Sequence, residues 1–260
     1  MSRTLRPRHV TMISIGGIIG AGLFVGSSAA IAATGPAIVL SYLLTGILIL
    51  LVMRMLGEMA VALPHVRAFT EFARVGLGSW AGFVAGWLYW YFWIITVAVE
   101  AIAGATILHS WIPAVPSWGL GLALMAVMTG VNLLSARSYG EFEFWFSSIK
   151  VAAIIAFIAL AVSYAFGWTS QQGATFANLS VHGGFAPKGV LTVLAGAVTV
   201  FFAMTGAEIT TVAAAESQEP ARAVAKMSSS VIVRILIFYV ASVLLVLCVV
   251  PWTSVVVGES

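Results

Sequence analysis

Seven long apolar segments, at about residues 10–33, 37–62, 79–109, 117–135, 144–168, 188–215 and 230–250, follow one another with short polar joints between them. An α-helix rises about 1.5 Å per residue, so about 20 apolar residues cross a hydrocarbon layer about 30 Å thick. Each segment meets that requirement, and none shows the strand alternation of a membrane barrel. An unpaired backbone group in lipid costs several kcal/mol, which leaves helices as the solution. Charged residues make up 8% of the chain and hydrophobic ones 61%, whereas roughly a quarter of a soluble domain is charged. The expected fold class is therefore all-α integral membrane. Residues 1–260 form a single transmembrane domain, with no joint long enough for a soluble one.

The net charge of +3 and the isoelectric point near 9.2 do not point to a nucleic-acid partner, because the Lys and Arg residues form no run. They mark topology. With the N-terminus in the cytoplasm, Arg3, Arg6, Arg8, Arg67, Arg74, Arg137, Arg222 and Lys226 fall on the inner side, Arg54 and Arg234 lie near it, and Lys188 falls outside. Cytoplasmic loops carry such an excess of basic residues. On the outer side, "HSWIPAVPSWG" at 109–119 is proline-broken and tryptophan-edged, and 169–187 is polar and contains glycine. The first span is too long and too rich in glycine for a cleaved signal core and is expected to be retained. Cys248, the one cysteine, excludes an internal disulfide and is expected to be a packed thiol.

A charge at the bilayer centre costs at least about 2.5–3.5 kcal/mol, so ionisable residues within spans must be paired, protonated or turned to a polar cavity. Arg54 and Glu58 are one turn apart in "MRMLGEMA" and read as a structural ion pair. Glu100, Lys150 and Glu208 have no partner at helical spacing, and Glu216 lies near a span end. These are candidates for an ion or substrate path, against the plainer alternative that Lys150 pairs with a carboxylate of another span. In "WLYWYFW" at 87–93, Trp87, Trp90 and Ile94 share one helical face, as lipid-facing or packing residues do. His9, His65, His109 and His182 are scattered at span edges and loops, and no nucleophile–base pair, metal-ligand cluster or nucleotide loop is present. The pattern does not describe an enzyme, and no metal or organic cofactor is expected.

The first span contains "GGIIGAGLF" at 16–24, with four glycines in seven positions. Each interior glycine costs a helix about 1 kcal/mol relative to alanine, so unwinding near 20–22 is cheap. A broken helix survives in lipid only where its backbone lines a cavity or is buried in protein. The N–H groups at the start of the second half then make an anion site, for which a carboxylate is the natural occupant. The competing reading is a small-xxx-small helix contact, but the stripe Gly16, Gly20 ends at Phe24. The sixth span carries a second interruption, "AMTGAEIT" at 203–210, with an acid at the break. Interrupted helices at corresponding positions of two repeats point to a midplane site of the kind secondary transporters use.

"GGIIGAGLF", "YGEFEFWFSSIKV" and "FFAMTGAEITTVAAAESQEP" resemble signatures of the amino acid–polyamine–organocation transporter superfamily, in its bacterial amino acid permease branch. "RHVTMISIGGIIGAGLFVGSS", "MRMLGEMAVA", "GWLYWYFW", "ILHSWIP" and "NLLSARSYGEFEFW" extend the resemblance over nearly the whole chain, and the pattern is most similar to gamma-aminobutyrate (GABA) permeases. The resemblance implies a LeuT-type inverted-repeat fold, with residues 1–168 as a first five-helix repeat and 188–260 as the start of a second. It also implies proton-coupled uptake of a small zwitterionic amino acid, with the proton as coupling ion, across the bacterial cytoplasmic membrane.

Carried onto this chain, the resemblance implies that the backbone at Ile18, Gly20, Ala21 and Gly22 takes the substrate carboxylate. Phe202, Ala203 and Gly206 line the interrupted sixth helix, with the Phe202 ring as a lid and the carbonyls receiving the amino group. Glu208 couples the site to gating or protonation. Lys150 stands where sodium-driven relatives bind a cation, and Glu100 and Glu216 are secondary members of that polar path. The sequence departs from the family at "PHVRAFTEFA", where a "GSF"-like stretch is usual after the second helix. The family usually has twelve spans, so a chain of seven is expected to be truncated or part of a longer protein. A non-transporting membrane fragment or interaction module is the alternative reading.

Overall fold

The computed structural model describes residues 19–24, 26–63, 65–66, 68–133, 136–169, 173–206 and 235–254. Among these no strand occurs. The helices are α1 (Ala21–Phe24), α2 (Gly26–Thr34), α3 (Ile38–Ala62), α4 (Phe69–Leu77), α5 (Ser79–Trp111), α6 (Ser117–Asn132), α7 (Ala136–Ala165), α8 (Leu191–Met204) and α9 (Ser242–Val249). Single 3-10 turns lie at Gly35–Ala37 and Phe176–Leu179, and a π-helical turn at Ile235–Ala241 leads into α9.

Three stretches, Gly26–Ala62, Ser79–Trp111 and Glu141–Ala165, are long and apolar enough to cross a membrane. The first has 37 residues, roughly 55 Å of helix and nearly twice the hydrocarbon thickness. Gly35 divides it. Its φ of 76° is left-handed, a conformation that glycine enters freely and a right-handed helix does not contain. A Cβ there would also stand 2.7 Å from Pro187 Cγ. The junction between the first two spans, expected between 33 and 37, falls at this residue.

Two boundaries differ from the hydropathy reading. The fifth span, expected from 144, belongs to a helix that begins at Ala136: helical hydrogen bonding continues through "ARSYGEFE", beyond the apolar stretch. The joint after the second span contains α4, whose nine residues are too few for a span. Its Phe72 is buried, Phe69 meets Tyr89 edge to face with ring centroids 4.7 Å apart, and a Cβ on Gly82 would stand 2.7 Å from Arg74 Cβ. On the exposed side Arg74 Nε donates to Glu71 at 2.8 Å, and that guanidinium holds the Glu71 carboxyl below its usual pKa.

The core joins the first, second, fifth, sixth and seventh segments, around Ile19, Leu23, Ile31, Tyr42, Ile154, Val200, Met204 and Tyr239. Lipid removes the hydrophobic drive between helices, leaving close packing and interhelical hydrogen bonds to hold them. Ser41 donates to the Val193 carbonyl at 2.8 Å and Thr45 to the Ala197 carbonyl at 3.2 Å, tying α3 to α8. Gly196 lets that crossing close, since a Cβ there would come within 2.7 Å of Ser41 Oγ.

The loop after α7 closes helix ends. The last carbonyls of a helix lack intrahelical donors, and Asn178 Nδ2 donates to Cys248 O at 2.8 Å while Lys188 Nζ donates to Ala32 O at 2.6 Å. Lys188 also lies 5.6 Å from the centre of the Trp252 ring, and Trp252 Nε1 donates to His182 O. Cys248 is buried and free, as a packed thiol is.

Candidate functional site

Ile19 and Gly20 are non-helical, and α1 begins at Ala21. Ile19 is almost fully buried, so its carbonyl needs a donor from elsewhere in the protein. Lys150 supplies it from α7, with Nζ 3.1 Å from Ile19 O. Glu100 of α5 stands on the next residue: a Cβ on Gly20 would lie 3.0 Å from Glu100 Oε1. The two side chains thus reach adjacent residues of one unwound segment, from the third and fifth spans. Neither contact follows helical spacing along the sequence.

At the second interruption α8 stops at Met204, Thr205 is extended (φ −67°, ψ 149°), and Gly206 has φ 110°. The freed carbonyls of the last turn find different donors. Thr205 Oγ1 donates to Phe201 O at 2.9 Å, Thr205 N to Phe202 O at 3.4 Å, and Tyr239 Oη to Ala203 O at 2.8 Å. Phe202 packs against Phe92 of α5, ring centroids 5.9 Å apart.

A Cβ on Gly22 would lie 2.4 Å from Ala203 Cα and 2.7 Å from its Cβ, so the start of α1 lies directly on the end of α8, at the two places where the sequence predicts interrupted helices. Gly20, Ala21, Gly22, Phe202, Ala203 and Gly206 therefore belong to one region, with Lys150 and Glu100 at its edge. Ile18, Glu208 and Glu216 lie outside the described residues. Arg54 and Glu58 stand apart, exposed, with Nε 3.4 Å from Oε1. Such an exposed pair contributes roughly 0–1 kcal/mol.

Tyr239 and Tyr42, whose rings lie 6.1 Å apart in the core, were not among the sequence candidates. A phenol within an apolar run was the available signal, since a buried hydroxyl seeks a partner. The π-helical turn that carries Tyr239 had none. Trp87, Trp90 and Ile94 are exposed on α5, and an open apolar hollow of about 730 Å³ lined by Gly86, Tyr89, Trp90, Trp93 and Met125 runs along that helix.

Over residues 9–260 the sequence matches the amino acid permease family. The chain belongs to that family. It is 51% identical over 252 residues to the probable GABA permease of Pseudomonas aeruginosa, covering 96% of this chain and 53% of the relative. It is 47% identical over 261 residues to the gamma-aminobutyric acid permease of Bacillus subtilis, covering 100% and 56%. The aromatic amino acid transport protein AroP of Corynebacterium glutamicum is 43% identical over 254 residues, covering 96% and 54%. The chain thus spans about half the length of the curated relatives it matches. No solved structure matches it. Within the family the all-α membrane architecture is the expected one, and the relatives are named as transporters and permeases, not enzymes.

Proposed function

We propose that this chain carries the substrate site of a secondary transporter that takes up a small zwitterionic amino acid together with a proton. The observation that carries the reading is the meeting of the start of α1 with the end of α8, with Gly22 against Ala203 and Lys150 Nζ on the Ile19 carbonyl. Backbone N–H groups at Gly20, Ala21 and Gly22, at the positive end of a helix, suit a carboxylate. Carbonyls at the end of α8 suit an ammonium group, and the Phe202 ring beside Phe92 suits a lid. Ile18 completes the carboxylate cradle in this reading.

Proton coupling is assigned to the intramembrane polar path. Lys150 on the Ile19 carbonyl and Glu100 beside Gly20 support it, because ionisable residues within spans mark ion or proton paths. Glu208 couples the site to gating or protonation in this reading, with Glu216 a further member of the path. GABA is the first ligand to test, because two of the relatives carry it in their names, while AroP supports the wider class of amino acids. The excess of Arg and Lys on one set of loops supports a cytoplasmic N-terminus in the bacterial cytoplasmic membrane, with Lys188 outside. Residues 1–168 form a first repeat in this scheme and 188–260 the start of a second.

The test is uptake and binding of labelled GABA by the chain in proteoliposomes under an imposed pH gradient. Saturable binding, and uptake driven by an acidic exterior, are expected. Glu208→Gln is expected to insert in the membrane and lose uptake driven by the pH gradient. Absence of saturable binding of any amino acid overturns the site, and normal pH-driven uptake in Glu208→Gln overturns the coupling.

A further inference from the structure

The π-helical turn at Ile235–Ala241 faces the end of α8. Such turns are rare and frequently stand at functional sites. Here it carries Tyr239, which is fully buried and whose hydroxyl donates to Ala203 O at 2.8 Å. Ala203 is the next-to-last residue of α8, so its carbonyl is one that the helix leaves without an internal donor. Thr205 serves the Phe201 and Phe202 carbonyls from within the same chain turn. The Ala203 carbonyl is instead held from the seventh segment. Ala203 is also the residue on which Gly22 lies. A continuous line of contact therefore runs from Tyr239 through Ala203 to the first interruption.

We infer that Tyr239 is a positioning residue of the amino acid site: its hydroxyl fixes the Ala203 carbonyl, and with it the broken end of α8 against Gly22. The inference rests on reading the paired interruptions as that site. A carbonyl oxygen has two lone pairs. With one engaged by Tyr239, the direction of the other is set before a ligand ammonium arrives, and the cost of ordering the unwound backbone is met in advance. Tyr239 acts on the ligand through Ala203, so removal of its hydroxyl weakens affinity while leaving the conformational cycle in place.

Tyr239→Phe keeps the ring, its packing and its contact with Tyr42, and deletes only the hydroxyl. Two measurements on the full chain in lipid nanodiscs test the inference. Amide hydrogen exchange at Thr205 and Gly206 is expected to speed up in the variant without ligand. The dissociation constant for labelled GABA is expected to rise about three- to tenfold, the effect of one hydrogen bond, and maximal uptake in proteoliposomes is expected to stay within about twofold of the parent. Unchanged exchange overturns the inference whatever the ligand result. Faster exchange with unchanged affinity also overturns it, because Tyr239 then stabilises the helix end without shaping the site. If the parent chain binds no amino acid, the site reading fails, and the positioning role fails with it. Exchange then shows separately whether Tyr239 holds the end of α8.

Discussion

A methyl group on Gly22 would stand 2.4 Å from the Cα of Ala203, where the obstacle is backbone on both sides and no side chain can swing away. Gly22→Ala therefore forces the two interrupted helices apart. Overpacking of this kind costs typically about 1–3 kcal/mol, visible as a lower thermal unfolding midpoint in detergent. Gly26, four residues on, is the matched control: nothing lies within 4 Å of a Cβ there. Gly26→Ala is expected to be neutral or to stabilise by about 0.5–1 kcal/mol through helix propensity. Lys150→Met removes the donor from a buried carbonyl, and leaving such a group unmet costs about 1–3 kcal/mol. Lys150→Arg, which keeps a donor, is expected to recover part of that loss in the same unfolding assay. The sequence marks Gly22 and Lys150 as unusual because glycine runs and intramembrane charges both violate what lipid favours. It does not tell that the lysine lands on Ile19 or that Glu100 lands on Gly20. Those contacts join residues of different spans, 131 positions apart in the lysine case, and depend on how the helices pack.

Between helices, the tie from α3 to α8 rests on two hydroxyls. Ser41→Ala and Thr45→Val each delete one bond to α8. Interhelical hydrogen bonds in membranes average about 0.6 kcal/mol, so each variant is expected to lose about that much in a reversible detergent denaturation. The losses are expected to add approximately in the double variant, although sites one helical turn apart can couple. Three stretches long enough to span were legible because the bilayer sets their length, and the helix ends at Ala21 and Met204 because glycine marks where a helix is weakest. Met204 ends α8 immediately before "TG", and Ile19 and Gly20 precede α1 in "IIGAGLF". Three features were not legible. The helix Phe69–Leu77 is too short to register as a span, the π turn at Ile235–Ala241 leaves no trace in an apolar run, and the helical lead into the fifth span is polar. The first two are specified by what they pack against and not by their own hydropathy.

At the scale of the molecule, the first, second, fifth, sixth and seventh segments share one core, while the third and fourth keep broad apolar faces outward. That arrangement brings the start of α1 and the end of α8 together in the interior, where non-helical backbone is tolerated only if it is buried or lines a cavity. The proposed sidedness has its own check. Cysteine introduced at Arg74 or at Lys188, with Cys248 replaced, is expected to react with a membrane-impermeant maleimide from the inner and the outer side respectively. Labelling of both from one side contradicts the proposed sidedness. The central claim is that the interruptions at Gly20 to Gly22 and at Ala203 to Gly206 together form one amino acid site. Equilibrium binding of labelled GABA to the chain in nanodiscs, compared between the parent, Gly22→Ala and Gly26→Ala, tests it most directly. The account predicts saturable binding by the parent and by Gly26→Ala, weakened at least about tenfold in Gly22→Ala, or about 1.4 kcal/mol. Equal affinity in all three chains would contradict it.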